Sequence, residues 1–427
     1  MARICIIGAG AMGLAAGYHA AKAGHDVTIY EAAPEIGGMA AHFDFDGLSI
    51  ERFYHFFCYS DHAAFELFDE LGIGDQMRWM PTSMGYLYNG RLYKWGDPIS
   101  LFRFPGLSLI EKFRYGLMMF VATKRKSPGD LENRTSKDWI EKWCGKRAYE
   151  DLWRPLFDLK FFEFSDRISA AWIWTRFKRM GTSRRSIFQE EYGYLSGGSQ
   201  MLIDVLERQI LELRGKIHTS AAVTRINTEA QRVCGVTVNG EGQAFDAVIS
   251  TIPTPFVSRL VPDLPEGVRA QYDAIPNIGV ICAIFRLKRS VSPNFWLNIV
   301  DANIRVPGII EFSNLRATED TVVYVPYYMP TTHPTFQRDD VAIAEEAFGF
   351  LKRINPDLED QDRIAWRVSR LKYAQPICTP GFLSALPPVQ TAIEGLQIAD
   401  TCFYYPEDRG ISESVRLGKE MALAVKT

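Results

Sequence analysis

No run of about 18 apolar residues, the length a helix needs to cross a bilayer, occurs anywhere in the sequence. The seven cysteines are scattered and include no Cys-x-x-Cys pair. That pattern fits neither a disulfide framework nor a zinc site and points to reduced thiols in the cytoplasm. A charge excess of one sign is missing too: 48 Lys and Arg against 51 Asp and Glu leave a net −3. No global basic field therefore invites nucleic acid, and any anion site must be local. A Gly-x-Ser-x-Gly elbow, a His-Glu-x-x-His helix and a P-loop are all absent, which removes the hydrolase and metal readings, so no metal is expected. Low-complexity tracts and internal repeats are also lacking, so domain limits must come from motif positions.

What is present is globular: 47% hydrophobic and 23% charged residues, in 427 residues that exceed one core and suit two interleaved domains. Aromatic residues reach 13%. They would suit a pocket for a flat ring or a greasy substrate, or simply a well-filled core.

The first forty residues carry the clearest signal. Ile4, Ile6 and Ile7 make a short buried strand, Gly8-Ala9-Gly10-Ala11-Met12-Gly13 is a G-x-G-x-x-G turn opening a helix, and a second strand leads to Glu31. The glycines also break the apolar stretch that a secretory signal peptide would keep whole. Gly8 permits the turn, Gly10 lets a pyrophosphate approach the backbone, and Gly13 lets helix and strand pack closely, while the N–H groups of the helix start face the phosphates. Glu31 stands where an acidic residue would hold a ribose diol. NAD and FAD both fit so far.

After Glu31 comes Ala-Ala-Pro-Glu-Ile and the doublet Gly37-Gly38. This resembles the E-x5-G-G extension of the FAD-binding fold shared by amine oxidases, protoporphyrinogen oxidase, phytoene-type desaturases and UDP-galactopyranose mutase. The resemblance implies an α/β fold, with a Rossmann-like, glutathione reductase-like FAD-binding domain and an inserted mixed α+β substrate domain. It also implies FAD as cofactor; nothing in the motifs demands a covalent link. Residues 194–255 resemble the family's middle FAD segment, which would put Val223 on the strand bracketing the adenine and Thr251 with Pro253 in a loop passing the cofactor. The tail "LQIADTCFYYPEDRGISESV" resembles the C-terminal motif, carrying over Asp400 toward the ribityl–pyrophosphate region and Gly410, Ile411 and Ser412 at a helix start facing the flavin pyrimidine. Such a helix end would stabilise negative charge on reduced flavin. The expected layout is an FAD domain from 1–95, 194–255 and 381–427, and a substrate domain from 96–193, mainly helical, and 256–380.

Catalytic candidates are fewer. His55 lies in a loop that in relatives passes the isoalloxazine, and it could move a proton or merely shape the loop. His42 and His62 are weaker candidates. A local basic cluster with Arg176, Arg184 and Arg185 could grip a substrate phosphate or could be a solvated helix face. Tyr405 belongs to an aromatic and acidic loop similar to that of the sugar mutases. Segment 101–126 joins aromatic and aliphatic residues to a basic run, as an interfacial helix would, or as a pocket roof would. The leading expectation is a cytoplasmic FAD-dependent oxidoreductase, with peripheral contact at the inner membrane face held open. It would remove hydride from a C–N or C–C bond of a small or lipid-like molecule. The alternatives are a non-redox mutase acting on a nucleotide-linked sugar, and a flavin-binding protein without turnover. Oligomeric state is left open.

Overall fold

The computed structural model describes residues 1–426. Its first layer is a five-stranded, wholly parallel sheet in the order Lys216–His218, Asp26–Tyr30, Arg3–Ile7, Ala247–Ser250, Leu396–Ile398. Ile4, Ile6, Val27, Ile29, Val248 and Ile249 are fully buried, because helices and loops cover both faces of a parallel sheet. The helix Ala11–Lys22 has Ala or Gly at seven of its twelve positions and is buried from Ala11 to Ala21. Small side chains allow the closing helix Ile411–Leu423 to cross it so tightly that a Cβ on Gly418 would stand 2.4 Å from the Met12 carbonyl oxygen. The helix Gly198–Glu212 presents Leu202, Leu206 and Ile210 to the same core.

Residues 223–244 form an antiparallel three-stranded sheet. Its Asn239-Gly240 hairpin takes φ of 53° and 84°, the left-handed pair that a tight two-residue hairpin requires. The second large layer is a seven-stranded sheet ordered Arg363–Pro376, Asn277–Leu287, Thr321–Met329, Gly308–Glu311, Trp296–Ile299, Met84–Tyr88, Arg91–Trp95. Strands 84–95 thus join this second sheet, although the motif positions had grouped them with the cofactor segments. Hydrogen bonding to Trp296–Ile299 in register Met84 with Trp296 is what draws them there. The amphipathic helix Asp340–Ile354 packs on one side of this sheet. A helical layer from 98 to 182 covers another part of it, with Phe161, Trp172 and Ile278 in one shared core. The cleft described next lies between the two large sheets.

Candidate active site

The three loops leaving the carboxyl ends of Arg3–Ile7, Asp26–Tyr30 and Ala247–Ser250, and the loop after Leu396–Ile398, converge on one cleft of about 430 Å³. This is the crevice in which doubly wound sheets bind ligands. Gly8, Gly10, Glu31, Gly37, Gly38, Thr251, Pro253, Asp400, Gly410 and Ile411 all line it. Gly13 does its work beneath the surface: a Cβ there would sit 1.9 Å from the Gly8 carbonyl oxygen, so only glycine allows the helix to pass. Gly10 differs in kind. It has extended backbone, φ −73° and ψ 177°, and a Cβ on it would meet nothing within 4 Å, because it faces the open cleft.

The two acidic cofactor candidates are braced by backbone. Glu31 accepts from Ala9 N–H at 2.7 Å and from Ala33 N–H at 2.8 Å, tying the glycine turn to the loop after the second strand. Asp400 accepts from Thr254 N–H at 2.6 Å and Cys402 N–H at 2.8 Å. Burial pushes its pKa up, and those bonds oppose the rise. Both carboxylates therefore hold loops in place while remaining on the cleft wall.

His55 lines the same cleft, within the loop 53–56. Its Nδ1 is buried without a hydrogen-bond partner. Burial lowers its pKa to about 4, nearby Glu51 pulling the other way, so the imidazole is neutral at pH 7, the form that can accept a proton. His42 instead packs against the buried Glu51 at 3.4 Å and Ser49 at 2.9 Å, a structural pairing; His62 begins the helix His62–Glu70.

Beyond the glycine loops the cleft is lined by Tyr54, Trp296 and Tyr328. Three cations face this part. Arg176 pairs with Asp408 and lies over the Trp172 ring at 5.0 Å. Arg409 donates to the Ala374 carbonyl beside Tyr328. Lys160 has its Nζ 5.1 Å from both the Trp172 and Tyr328 ring centres. Burial, followed by repulsion from Arg176 and Arg409, drives the Lys160 pKa well down, and the same burial lowers Arg176 to about 10. Nothing in the sequence marks Lys160 or Arg409: one reads as an ordinary helix-surface lysine, the other as a loop charge.

Five expected site residues lie elsewhere. Val223 packs into the core behind the parallel sheet, its strand belonging to the separate three-stranded sheet. Ser412 turns toward Ala64, whose N–H it accepts at 3.3 Å; Ser414, two positions on, lines the cleft. Tyr405 is buried with its hydroxyl between Ser169 at 2.7 Å and Glu132 at 2.5 Å, so it joins the helical layer to the tail. Arg184 is held by Glu190 and the Gly96 carbonyl, and Arg185 is exposed on a hairpin. Of the proposed basic cluster Arg176 reaches the cleft, as does its neighbour Arg179, which Asp61 holds at 2.7 Å, whereas Arg184 and Arg185 do not.

The family model described as flavin containing amine oxidoreductase matches residues 13–401. The chain belongs to that family. Its cofactor is accordingly FAD, and the cradle fits it: a glycine face open to the cleft, a helix start and two braced carboxylates are the groups a dinucleotide needs. Relatives include a zeta-carotene desaturase of Synechocystis sp., 25% identical over 65% of this chain, and a coproporphyrinogen III oxidase of Bacillus subtilis, 24% identical over 61%. The chain spans 62% of the length of each. Among solved structures, a proposed protoporphyrinogen oxidase of Exiguobacterium sp. 255-15 superposes with a TM-score of 0.77 over 99% of this chain and 98% of its own, at 18% identity. Cyclohexylamine oxidase of Brevibacterium oxydans gives 0.73 over 99% and 98%, at 15%. Those similarities show the fold. The family is one of flavin-containing oxidoreductases, and neither it nor these relatives lends support to the mutase reading raised by the 404–410 loop.

Proposed function

We propose that this flavoprotein removes hydride from a C–N or C–C bond of an organic substrate that combines an apolar or unsaturated body with an anionic group. The observation that carries this reading is the continuity of the glycine-lined cleft with an aromatic wall holding Lys160, which pairs with no carboxylate among the described residues. Bound FAD supplies the two-electron acceptor, and the protein supplies position, charge and a place for the proton. Tyr54, Trp296 and Tyr328 offer flat faces against which a conjugated or cyclic body stacks. Arg409 offers charge to a carboxylate or phosphate, and an arriving anion would favour the charged form of Lys160 against the burial, and the lesser repulsion from Arg176 and Arg409, that hold its pKa down. Neutral His55 is the group suited to receive the proton released as the substrate is oxidised.

Anaerobic mixing tests the reading. The FAD-loaded protein should bleach at its flavin absorbance maximum with at least one member of a panel of amines, polyenes and porphyrinogen-type carboxylates. Carboxylated members should lose binding in Lys160→Ala. Dithionite-dependent conversion of a nucleotide sugar, with no bleaching by any member of the panel, would overturn the proposal in favour of a mutase.

A further inference from the structure

A second cavity, of about 370 Å³, lies beside the first and shares Arg176, Met180 and Trp296 with it. Its remaining wall is mostly apolar, with Leu101, Tyr115, Met119, Ile173 and Phe177 among the lining residues. Phe120 and Ile187 also line it, and both are largely exposed, at 60% and 66%. A chamber contiguous with the cofactor cleft therefore reaches the outer surface among bare apolar side chains.

That surface is unusual for a protein facing water. The helix Leu109–Lys124 buries Tyr115, Met118 and Ala122 on its inner side. Its outer side repeats the apolar pattern: Leu109, Ile110, Phe113, Leu117, Phe120 and Val121 are all exposed, with Ile110 at 72% and Phe113 at 73%. Their three- and four-residue spacing makes one stripe, roughly 18 Å long at 1.5 Å per residue. The preceding helix Pro98–Arg103 adds exposed Ile99 and Phe102, and the hairpin adds Phe188 beside Ile187. A patch of this kind marks an interaction surface.

Charge selects the occupant. Residues 98–126 carry six Lys or Arg and a single acidic residue, Glu111, in a chain whose net charge is −3. Arg147 neutralises Glu111 at 2.7 Å. Lys112 and Lys124 extend past the bare aromatic rings, their Nζ atoms 5.6 Å from Phe102 and 5.8 Å from Phe120, so cations rim the stripe. Apolar rings with long basic side chains around them match the boundary of an anionic bilayer, where the rings sink past the headgroups and the ammonium groups stay with the phosphates. No described helix is long and apolar enough to cross a membrane, so the contact lies in the interface.

We infer that the 98–124 surface, with the tip of the 184–195 hairpin, docks on an anionic phospholipid bilayer, and that the chamber beneath it is the route by which a membrane-dissolved substrate reaches the flavin cleft. The docking stands on exposure, charge and cavity geometry; only the route rests on the oxidoreductase reading.

Vesicle sedimentation tests docking without any turnover. The FAD-loaded full chain should pellet with phosphatidylcholine:phosphatidylglycerol vesicles (7:3) at least tenfold more strongly than with phosphatidylcholine alone, and several-fold less in 0.5 M NaCl. The double variant Ile110→Glu/Phe113→Glu should lose at least tenfold in lipid partition while keeping wild-type flavin absorbance and melting temperature. Leu211→Glu, an exposed apolar position on another helix, serves as the control and should pellet like wild type. A wild-type protein that stays in the supernatant with both vesicles overturns the inference. So does a double variant that pellets unchanged, or a stable wild-type dimer that ignores vesicles and that the double variant splits. For the route, a diazirine-tailed phosphatidylcholine in the 7:3 vesicles should label the chamber's buried wall, Ile173 or Phe177, in the photolysed holoprotein. Labelling that spares both would overturn it.

Discussion

Substituting Gly10 by Val separates binding from folding more sharply than any other change in the cradle. The backbone at Gly10 is extended, a conformation open to any L-residue, and a Cβ there contacts nothing within 4 Å. Helix start propensity favours Gly over Val at this cap by up to about 1 kcal/mol, so the apoprotein should lose no more than that. The new side chain, however, occupies the space the FAD pyrophosphate must enter. Losing even one charge-assisted hydrogen bond between backbone N–H and phosphate costs about 1.5–3 kcal/mol, roughly ten- to a hundredfold in Kd. Gly13→Ala should do the opposite: its Cβ would lie 1.9 Å from a backbone oxygen that cannot swing aside, so strand and helix must part at about 1–3 kcal/mol or more. Flavin-fluorescence titration of the apoproteins gives Kd, and thermal melts of the same samples give stability. Wild-type FAD affinity in Gly10→Val, measured on folded protein, would refute the placement of the pyrophosphate. An unchanged apo melt in Gly13→Ala would refute the packing argument.

His55→Ala should slow anaerobic flavin reduction by about 10²–10⁴, and in the wild type the rate should stay flat from pH 8 to 6 and fall only as pH nears the His55 pKa of about 4; an acid limb at 6.5 would show an ordinary solvated imidazole. Because folding lowers this pKa from 6.5, the unfolded chain binds the extra proton between those values, so this group makes stability rise with pH across about 4 to 6.5, by up to about 3 kcal/mol, and adds no slope above it. Differential melting of wild type and His55→Gln over that range checks the sign. Tyr405→Phe should cost about 0.5–1.5 kcal/mol of stability by removing the hydroxyl that bonds Ser169 and Glu132, with FAD affinity unchanged; loss of FAD without loss of stability would return Tyr405 to the site.

The cofactor cradle was legible in the sequence because its requirements are local. A strand, a turn in which Gly8 and Gly13 leave no room for a side chain and Gly10 opens to the cleft, and a helix start occupy residues 3–13, and Glu31 and Gly37-Gly38 follow at distances set by one further strand. Backbone geometry and phosphate chemistry leave few other sequences for that task, so Gly8, Gly10, Gly13, Glu31, Gly37 and Gly38 fell where their spacing put them. Asp400, Gly410 and Ile411 were reached through a longer motif and also line the cleft, but within the same motif Ser412 and Tyr405 turn away, because a helix or loop register one residue off points a side chain to another neighbour.

The substrate side was decided by tertiary structure. Lys160 belongs to a short helix, Arg154–Phe161, whose sequence resembles many exposed helices; only its packing on the strand Thr321–Met329, more than 150 residues away, sets the amine between Trp172 and Tyr328. Arg184 and Arg185 share the charge of Arg176 but leave the helix that aims it, and they end on a hairpin. The sequence could show that 101–126 is apolar and basic; whether its apolar residues were roofed or bare depended on which face the helical layer covered. A helix with apolar residues on both sides of its circumference can bury either, and the choice depends on the neighbours it meets, which no stretch of the chain contains by itself.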